Sequence, residues 1–279
     1  MRNSKQIHER RRNLRAYSSR RIGAMVLRHW YLLRYSWPRI ADLVYWPAVN
    51  MLMWGFLQLY MREQSSALVH IGGAFIGAVL LWDILFRGQI GFSLAFMEEM
   101  WSRNLGNLMM TPLRPSELVV ALMAVSVVRL LIGLVPVTFL AMIFFGFNFW
   151  GLGFALAAFF ANLILTSWSI GLVASGMVLK KGLGAEGLAW SMTFLLLPLA
   201  CVYYPVAVLP EWLQWVALAL PPTHVFEGLR ALVLENRFDA VAMLTALALN
   251  LVYFAAAAAA FGLLLRAARQ AGSLMQTGE

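Results

Sequence analysis

The sequence predicts an all-α membrane protein. Six transmembrane helices are expected, with an N-terminal amphipathic interfacial helix, a short cytoplasmic helix between spans two and three, and external re-entrant helices before the last span. Three observations predict it. The chain is 61% hydrophobic and only 13% charged, where soluble domains carry about 25% charged residues. It contains six long apolar runs, each with at least about 18 residues, enough to cross a ~30 Å hydrocarbon core at 1.5 Å per residue. Its basic residues also collect on alternate connections, as the positive-inside rule requires.

Residues 1–42 form a basic N-terminal region holding eleven of the twenty-two Lys and Arg residues. Ile22, Met25, Val26, His29, Trp30 and Leu33 recur at helical spacing, while Arg20, Arg21, Arg28 and Arg34 lie largely elsewhere. Such a helix should lie flat on the cytoplasmic membrane surface with its arginines near anionic lipid. Trp37-Pro38 is expected to end it. Ser19-Arg20-Arg21 resembles a twin-arginine start, and the Arg-rich, acid-poor opening resembles a transit peptide. Arg28 interrupts the following apolar run and no small-residue cleavage site follows, so a retained helix is favoured.

The transmembrane domain is expected over 43–265, with a cytoplasmic tail at 266–279. Its spans are about Leu43–Tyr60, Ile71–Phe92, Leu118–Phe145, 151–179, Gly187–Val208 with a kink at Pro198, and Ala240–Leu265. A polar turn from Arg62 to Ser66 joins the first two. Six crossings put both termini on one side. The N-terminus, the 98–117 connection, Lys180-Lys181 and Arg266 with Arg269 then share the cytoplasm, leaving Arg62, Arg230 and Arg237 outside. The expected localisation is a multi-pass cell membrane protein, in a bacterial inner membrane.

Several function classes drop out. The charge of +9 is concentrated at the N-terminus and base-reading motifs are absent, so no nucleic-acid partner is expected. Cys201 is the single cysteine, and His8, His29, His70 and His224 show no zinc spacing, so no metal site is expected. Catalytic signatures such as HExxH and G-x-S-x-G are missing, and so is a phosphate-binding GxxxxGK[ST] loop. No enzymatic activity is expected of this chain.

Charged residues inside the spans need partners. Asp83 and Arg87 are spaced i, i+4 and can pair on one helix face. Counted from Ile71, they lie about 18 and 24 Å along the helix. Arg129 lies about 16 Å from the inner end of the third span. Two readings compete for it: a pair with Asp83 that joins two spans, or a contact with an anionic headgroup on a substrate path. Gly73 with Gly77, Gly171 with Ser175, and the Ala255–Ala260 run offer close helix contacts, either within one chain or between two.

Two connections stand out. Glu98-Glu99-Met100-Trp101 is expected to open a short amphipathic helix that Thr111-Pro112-Leu113-Arg114-Pro115 ends. It reads as a docking element or as a solvated connector. The external segment 203–232 is too apolar for a surface loop, yet Pro205, Pro210, Pro221 and Pro222 exclude one spanning helix. Its Tyr203, Tyr204, Trp212 and Trp215 serve either as a gate or as an interfacial aromatic belt.

Leu209-Pro210-x-Trp212-Leu213, Pro221-Pro222-Thr223-His224 and Glu227-x-x-Arg230 together resemble the C-terminal pattern of ABC-2 type transporter permeases. The Glu98 to Pro115 stretch resembles that family's acidic, Leu-Pro-containing loop, and the resemblance covers essentially the whole chain. It implies the permease subunit of an ATP-driven exporter of lipid-linked, polysaccharide-type or amphiphilic substrates. The ATP and Mg would sit on a separate ATP-binding cassette ATPase subunit, with no cofactor on this chain. A second permease copy would complete the pore, as a homodimer or heterodimer, surrounded by membrane lipid. The resemblance makes 98–117 a coupling helix, with Glu98, Glu99, Trp101, Arg103, Thr111, Pro112, Leu113 and Pro115 facing the ATPase. It makes Tyr203, Tyr204, Pro205, Leu209, Pro210, Trp212, Pro222 and His224 part of an external gate. The alternatives are a haem-handling or cytochrome-assembly protein of permease-like build, and an ion-driven secondary transporter.

Overall fold

A computed structural model describes residues 2–64 and 72–270, and the described residues contain helices and no strand. Ile71, the end of the first outer turn at Ser66, and the tail beyond 270 lie outside the described residues. Helix α1 spans Arg2–Arg34 and α2 spans Trp37–Gln64. The break falls at Tyr35 and Ser36, one step earlier than expected. Trp37-Pro38 opens α2 rather than closing α1, because proline's fixed φ and missing N–H suit a first helical turn. The Ser36 carbonyl accepts from the Arg39 and Ile40 amides at 3.1 and 3.3 Å.

Helices α3 (Gly72–Trp101), α5 (Pro115–Phe145), α6 (Phe154–Lys181) and α10 (Ala240–Gln270), with α2, are the five described helices long and apolar enough to cross a membrane. Between α3 and α5 lies the short α4 (Leu105–Met110). Helix α3 is the hub, packing on both α5 and α6. Its apolar window is 78% buried, against 17% for α2 and α10, which form outer walls. The two small residues Gly73 and Gly77 lie under Val233, Leu229 and Phe147, so this GxxxG packs within one chain. Gly171 makes room for the Phe92 ring in the same way, whereas most of the Ala255–Ala260 run faces outward.

The fifth expected span is where sequence and structure part. Helix α7 spans Glu186–Leu199 and stops after 14 residues, about 21 Å of rise. Pro198 does not kink a longer helix; the helix ends just after it. Cys201 adopts a left-handed φ of 52° that turns the chain away. The Tyr204 hydroxyl donates to the Pro198 carbonyl at 2.6 Å, satisfying an acceptor that the terminated helix leaves open. The chain then passes through a 3-10 turn, 206–208, into α8 (Glu211–Leu218) and α9 (Pro221–Glu235). Each proline of the segment does a local job here. Pro210 precedes α8, and Pro221 and Pro222 occupy the first turn of α9, where no amide donor is needed.

Candidate functional site

The densest charged constellation lies where α1 crosses the end of α3 and the start of α5. Glu98 and Glu99 form the last turn of α3. Glu99 accepts from Arg28 and, at 2.8 Å, from the Asn104 side chain. Glu98 accepts from Arg129 at 2.6 Å and from Arg39 at 3.4 Å. The buried His29 ring sits between them, 3.5 Å from Glu98 and 3.2 Å from Glu99. Burial pushes the His29 pKa down, but the two carboxylates outweigh it and hold the pKa above its ordinary value. A third carboxylate, Glu117, caps α5 by accepting from the Arg114 amide at 2.9 Å, and it also accepts from Arg21 at 2.6 Å and Ser18 at 2.8 Å. Three carboxylates therefore clamp α1 to the helical body. Arg21 and Arg28, expected beside lipid, each pair with a carboxylate of the helical body while staying partly exposed.

This geometry resolves Arg129. It pairs with Glu98, neither with Asp83 nor left free for a headgroup, and its side chain is 4% exposed. Asp83 is taken by Arg87, which donates to it at 2.8 Å on the same helix face. The reason is directional. Side chains tilt toward the N-terminus of their own helix. On α5 that tilt carries Arg129 toward the connection, and on the antiparallel α3 it carries Glu98 back to meet it.

The connection itself splits into an anchored and a presented part. Glu98 and Glu99 face inward, and the short helix forms later than expected, over Leu105–Met110. Arg103 takes a left-handed φ of 52° that makes the turn between them. Trp101, Arg103, Thr111 and Pro112 are exposed, as are Asn107 and Met110, while Leu113 and Pro115 are half-buried. Leu105 is buried beneath α4, and Arg269 of α10 reaches Met109 from behind. The result is a turn anchored at Leu105 and Met109 with an exposed rim.

At the other end, Glu227 and Arg230 hold the segment 203–232. Glu227 accepts from the Val206 amide at 2.8 Å and from Arg230 at 2.9 Å, and Arg230 donates to the Val202 carbonyl at 3.3 Å. Tyr203 stacks on Trp54 at 5.1 Å and lies 5.3 Å from Phe75. Pro222 is buried, and His224 is bonded to the Leu218 carbonyl at 2.8 Å. Trp212 and Trp215 are 71% and 77% exposed, Pro205 and Pro210 are exposed, and Leu209 is half-buried. The tyrosines and the tryptophans thus do different jobs: the former pack inward and the latter project.

A family profile described as ABC-2 type transporter matches residues 22–234. The chain belongs to the ABC-2 type transporter family. No curated protein sequence matches it significantly. Membership makes this permease a membrane transport component of an ABC transporter and not itself a catalyst. With its apolar helices it is a multi-pass membrane protein. The match begins on α1 and ends on α9, so it spans both the clamp and the proline-broken segment after α7.

Sequence reasoning missed three polar clusters within the permease. Asn250 donates to the Asn162 carbonyl and side chain at 3.0 and 3.1 Å, and Thr166 donates to Asn250 at 2.7 Å. Thr193 donates to Gln89 at 2.8 Å, and Trp168 to Ser126 at 2.9 Å. Isolated polar residues within apolar runs were the available signal, since such groups seek partners across helices. His29 was missed as an ionic centre because it was read on an apolar face.

Proposed function

We propose that this chain is the permease subunit of an ATP-driven exporter, coupled to a separate ATPase through the rim of residues 101–112. The carrying observation is the anchored turn with its exposed rim. Trp101, Arg103, Thr111 and Pro112 would meet the ATPase. Glu98 and Glu99, on α3, would act from behind, passing its motion to α1, α2 and α5 through Arg28, Arg39 and Arg129. Leu113 and Pro115 would seat the rim on α5. ATP and Mg would bind the partner subunit, and a second permease copy would complete the pore.

Six crossings with both termini in the cytoplasm fit this reading. Thr193 bonds to Gln89 and Tyr203 packs on Phe75. Those two α3 residues are 14 positions apart, about 21 Å along the helix. The chain from α7 to Tyr203 thus travels far along α3, with non-helical residues extending the short helix. Residues 203–232 would then close the outer mouth. The long apolar helices suit a lipid-linked, polysaccharide-type or amphiphilic cargo. An ion-driven mechanism would want a carboxylate in a broken helix, but Asp83 sits in the unbroken α3 and is already paired with Arg87.

The test is co-purification from a bacterial membrane, with cysteine placed at Asn107 for cross-linking to the ATPase. An ATP-binding cassette subunit should be captured, and Arg103→Glu with Pro112→Ala should reduce capture and ATP-driven export together. Absence of any such ATPase, with export unaffected by the double variant, would remove the reading.

A further inference from the structure

A groove lies at the corner between α1 and α2. It has a volume of about 670 Å³ and is lined by Leu27, Arg28, Tyr31, Leu32, Tyr35 and Arg39, among others. Its chemistry is mixed in a specific way. Leu27 and Leu32 are exposed apolar side chains, and Tyr31 and Tyr35 are 46% and 80% exposed. Neither tyrosine hydroxyl makes a hydrogen bond among the described residues. Trp30 and Trp37 are also exposed nearby. An aromatic, partly apolar collar of this kind is suited to a membrane–water interface.

The charges are unbalanced toward the groove. Around Glu98 and Glu99 stand Arg28, Arg39 and Arg129, three cations against two anions before His29 is protonated. Arg129 is 4% exposed and engaged with Glu98, whereas Arg28 and Arg39 are 36% and 50% exposed. Both show a bond to carboxylate through Nη1, which orients the guanidinium while Nη2 makes no bond among the described residues. Asp42 lies one turn beyond Arg39 and does not line the groove. The surplus positive charge is therefore held on two pre-oriented guanidiniums, beside two phenols and an apolar wall.

We propose that this groove binds the phosphate headgroup of an anionic phospholipid from the leaflet on the α1 side. Guanidinium donors match phosphate oxygens, the phenols add donors, and Leu27 with Leu32 meets the start of the acyl chains. Exposed Trp30, Tyr31, Tyr35 and Trp37 beside an apolar wall suit the headgroup–acyl boundary of a membrane, which favours lipid over a protein partner. The site does not depend on the exporter reading, and its test does not use transport. Because Arg28 and Arg39 pair with the last turn of α3, an occupied groove would brace α1 against the same turn that leads into the rim.

Native mass spectrometry of the full chain in neutral detergent tests it, with phosphatidylglycerol and phosphatidylcholine of identical acyl chains as probes. The wild type should retain phosphatidylglycerol preferentially. Arg39→Gln, at a half-exposed position, should weaken that binding about tenfold, the loss of one charge-assisted hydrogen bond. It should leave phosphatidylcholine unchanged. Arg237→Gln, remote from the groove and 62% exposed, should change neither. Equal retention of the two lipids, or an unaffected Arg39→Gln, would overturn the proposal. Displacement by inorganic phosphate as readily as by lipid would leave a plain anion site and overturn the lipid assignment. Loss of the bound lipid upon addition of a purified ATPase subunit would assign the groove to protein instead.

Discussion

Replacing Arg129 by Gln isolates the innermost ion pair. Arg129 is 4% exposed and its partner Glu98 11%, so removal leaves a largely buried carboxylate short of its nearest cation. Breaking a buried pair by removing one partner costs about 3–5 kcal/mol. Glu98 keeps Arg39 at 3.4 Å and His29 at 3.5 Å. Arg39 is half exposed and so compensates weakly. The expected loss therefore lies at the low end, about 3 kcal/mol. For a chain of this size that corresponds to a Tm about 6–12 °C lower, read by thermal unfolding of the purified permease. The second variant sharpens the test. Arg129→Gln with Glu98→Gln removes the stranded charge and should recover more than half of the loss, giving a coupling energy above about 1 kcal/mol. A single variant within about 2 °C of wild type, or a double variant no more stable than the single, would refute the pair. A pair with Asp83 would instead make the Glu98 substitution purely additive.

The His29 cluster predicts a pH dependence. Its folded pKa is raised above 6.5, so its contribution is fully present below that value and is lost as pH rises through the folded pKa. The facing groups are Glu98, Glu99, Arg28 and Arg129, and the fall in Tm as pH rises above 6.5 should vanish in His29→Gln. Gly133→Ala places a methyl 2.5 Å from the Leu43 carbonyl oxygen. Helix α2 must shift, and a loss of about 1–3 kcal/mol is expected in denaturation. Glu227→Ala removes the acceptor for Val206 and the Arg230 pair; amide exchange over 202–208 should rise severalfold while α3 stays protected, and an unchanged pattern would show that the segment is held otherwise.

The legible part of this protein was what depends on neighbours in sequence. Five spans, the α1 face with Met25, His29 and Leu33, and the breaking of 203–232 by prolines all follow from hydropathy and helical periodicity. The Asp83–Arg87 pair was legible for the same reason, since one helix sets its geometry. The α7 terminus was less so: Pro198 marked the place, but whether a proline kinks or ends a helix depends on partners for the freed carbonyls, here Tyr204.

What tertiary structure alone decided is who meets whom across helices. Arg129 was given two partners and took a third, because a charge's reach depends on the tilt of two side chains and the register of two antiparallel helices. The family resemblance placed Glu98 and Glu99 on the coupling helix facing an ATPase, and packing turned both inward, onto His29 and Arg28 of α1. Composition and the position of charges determined a polytopic helical membrane protein with a basic face, and the resemblance of two segments to a family made it a permease. The clamp, the exposed rim and the groove between α1 and α2 came only from the way the helices stack, since burial and charge pairing are properties of contacts that no single stretch of sequence contains.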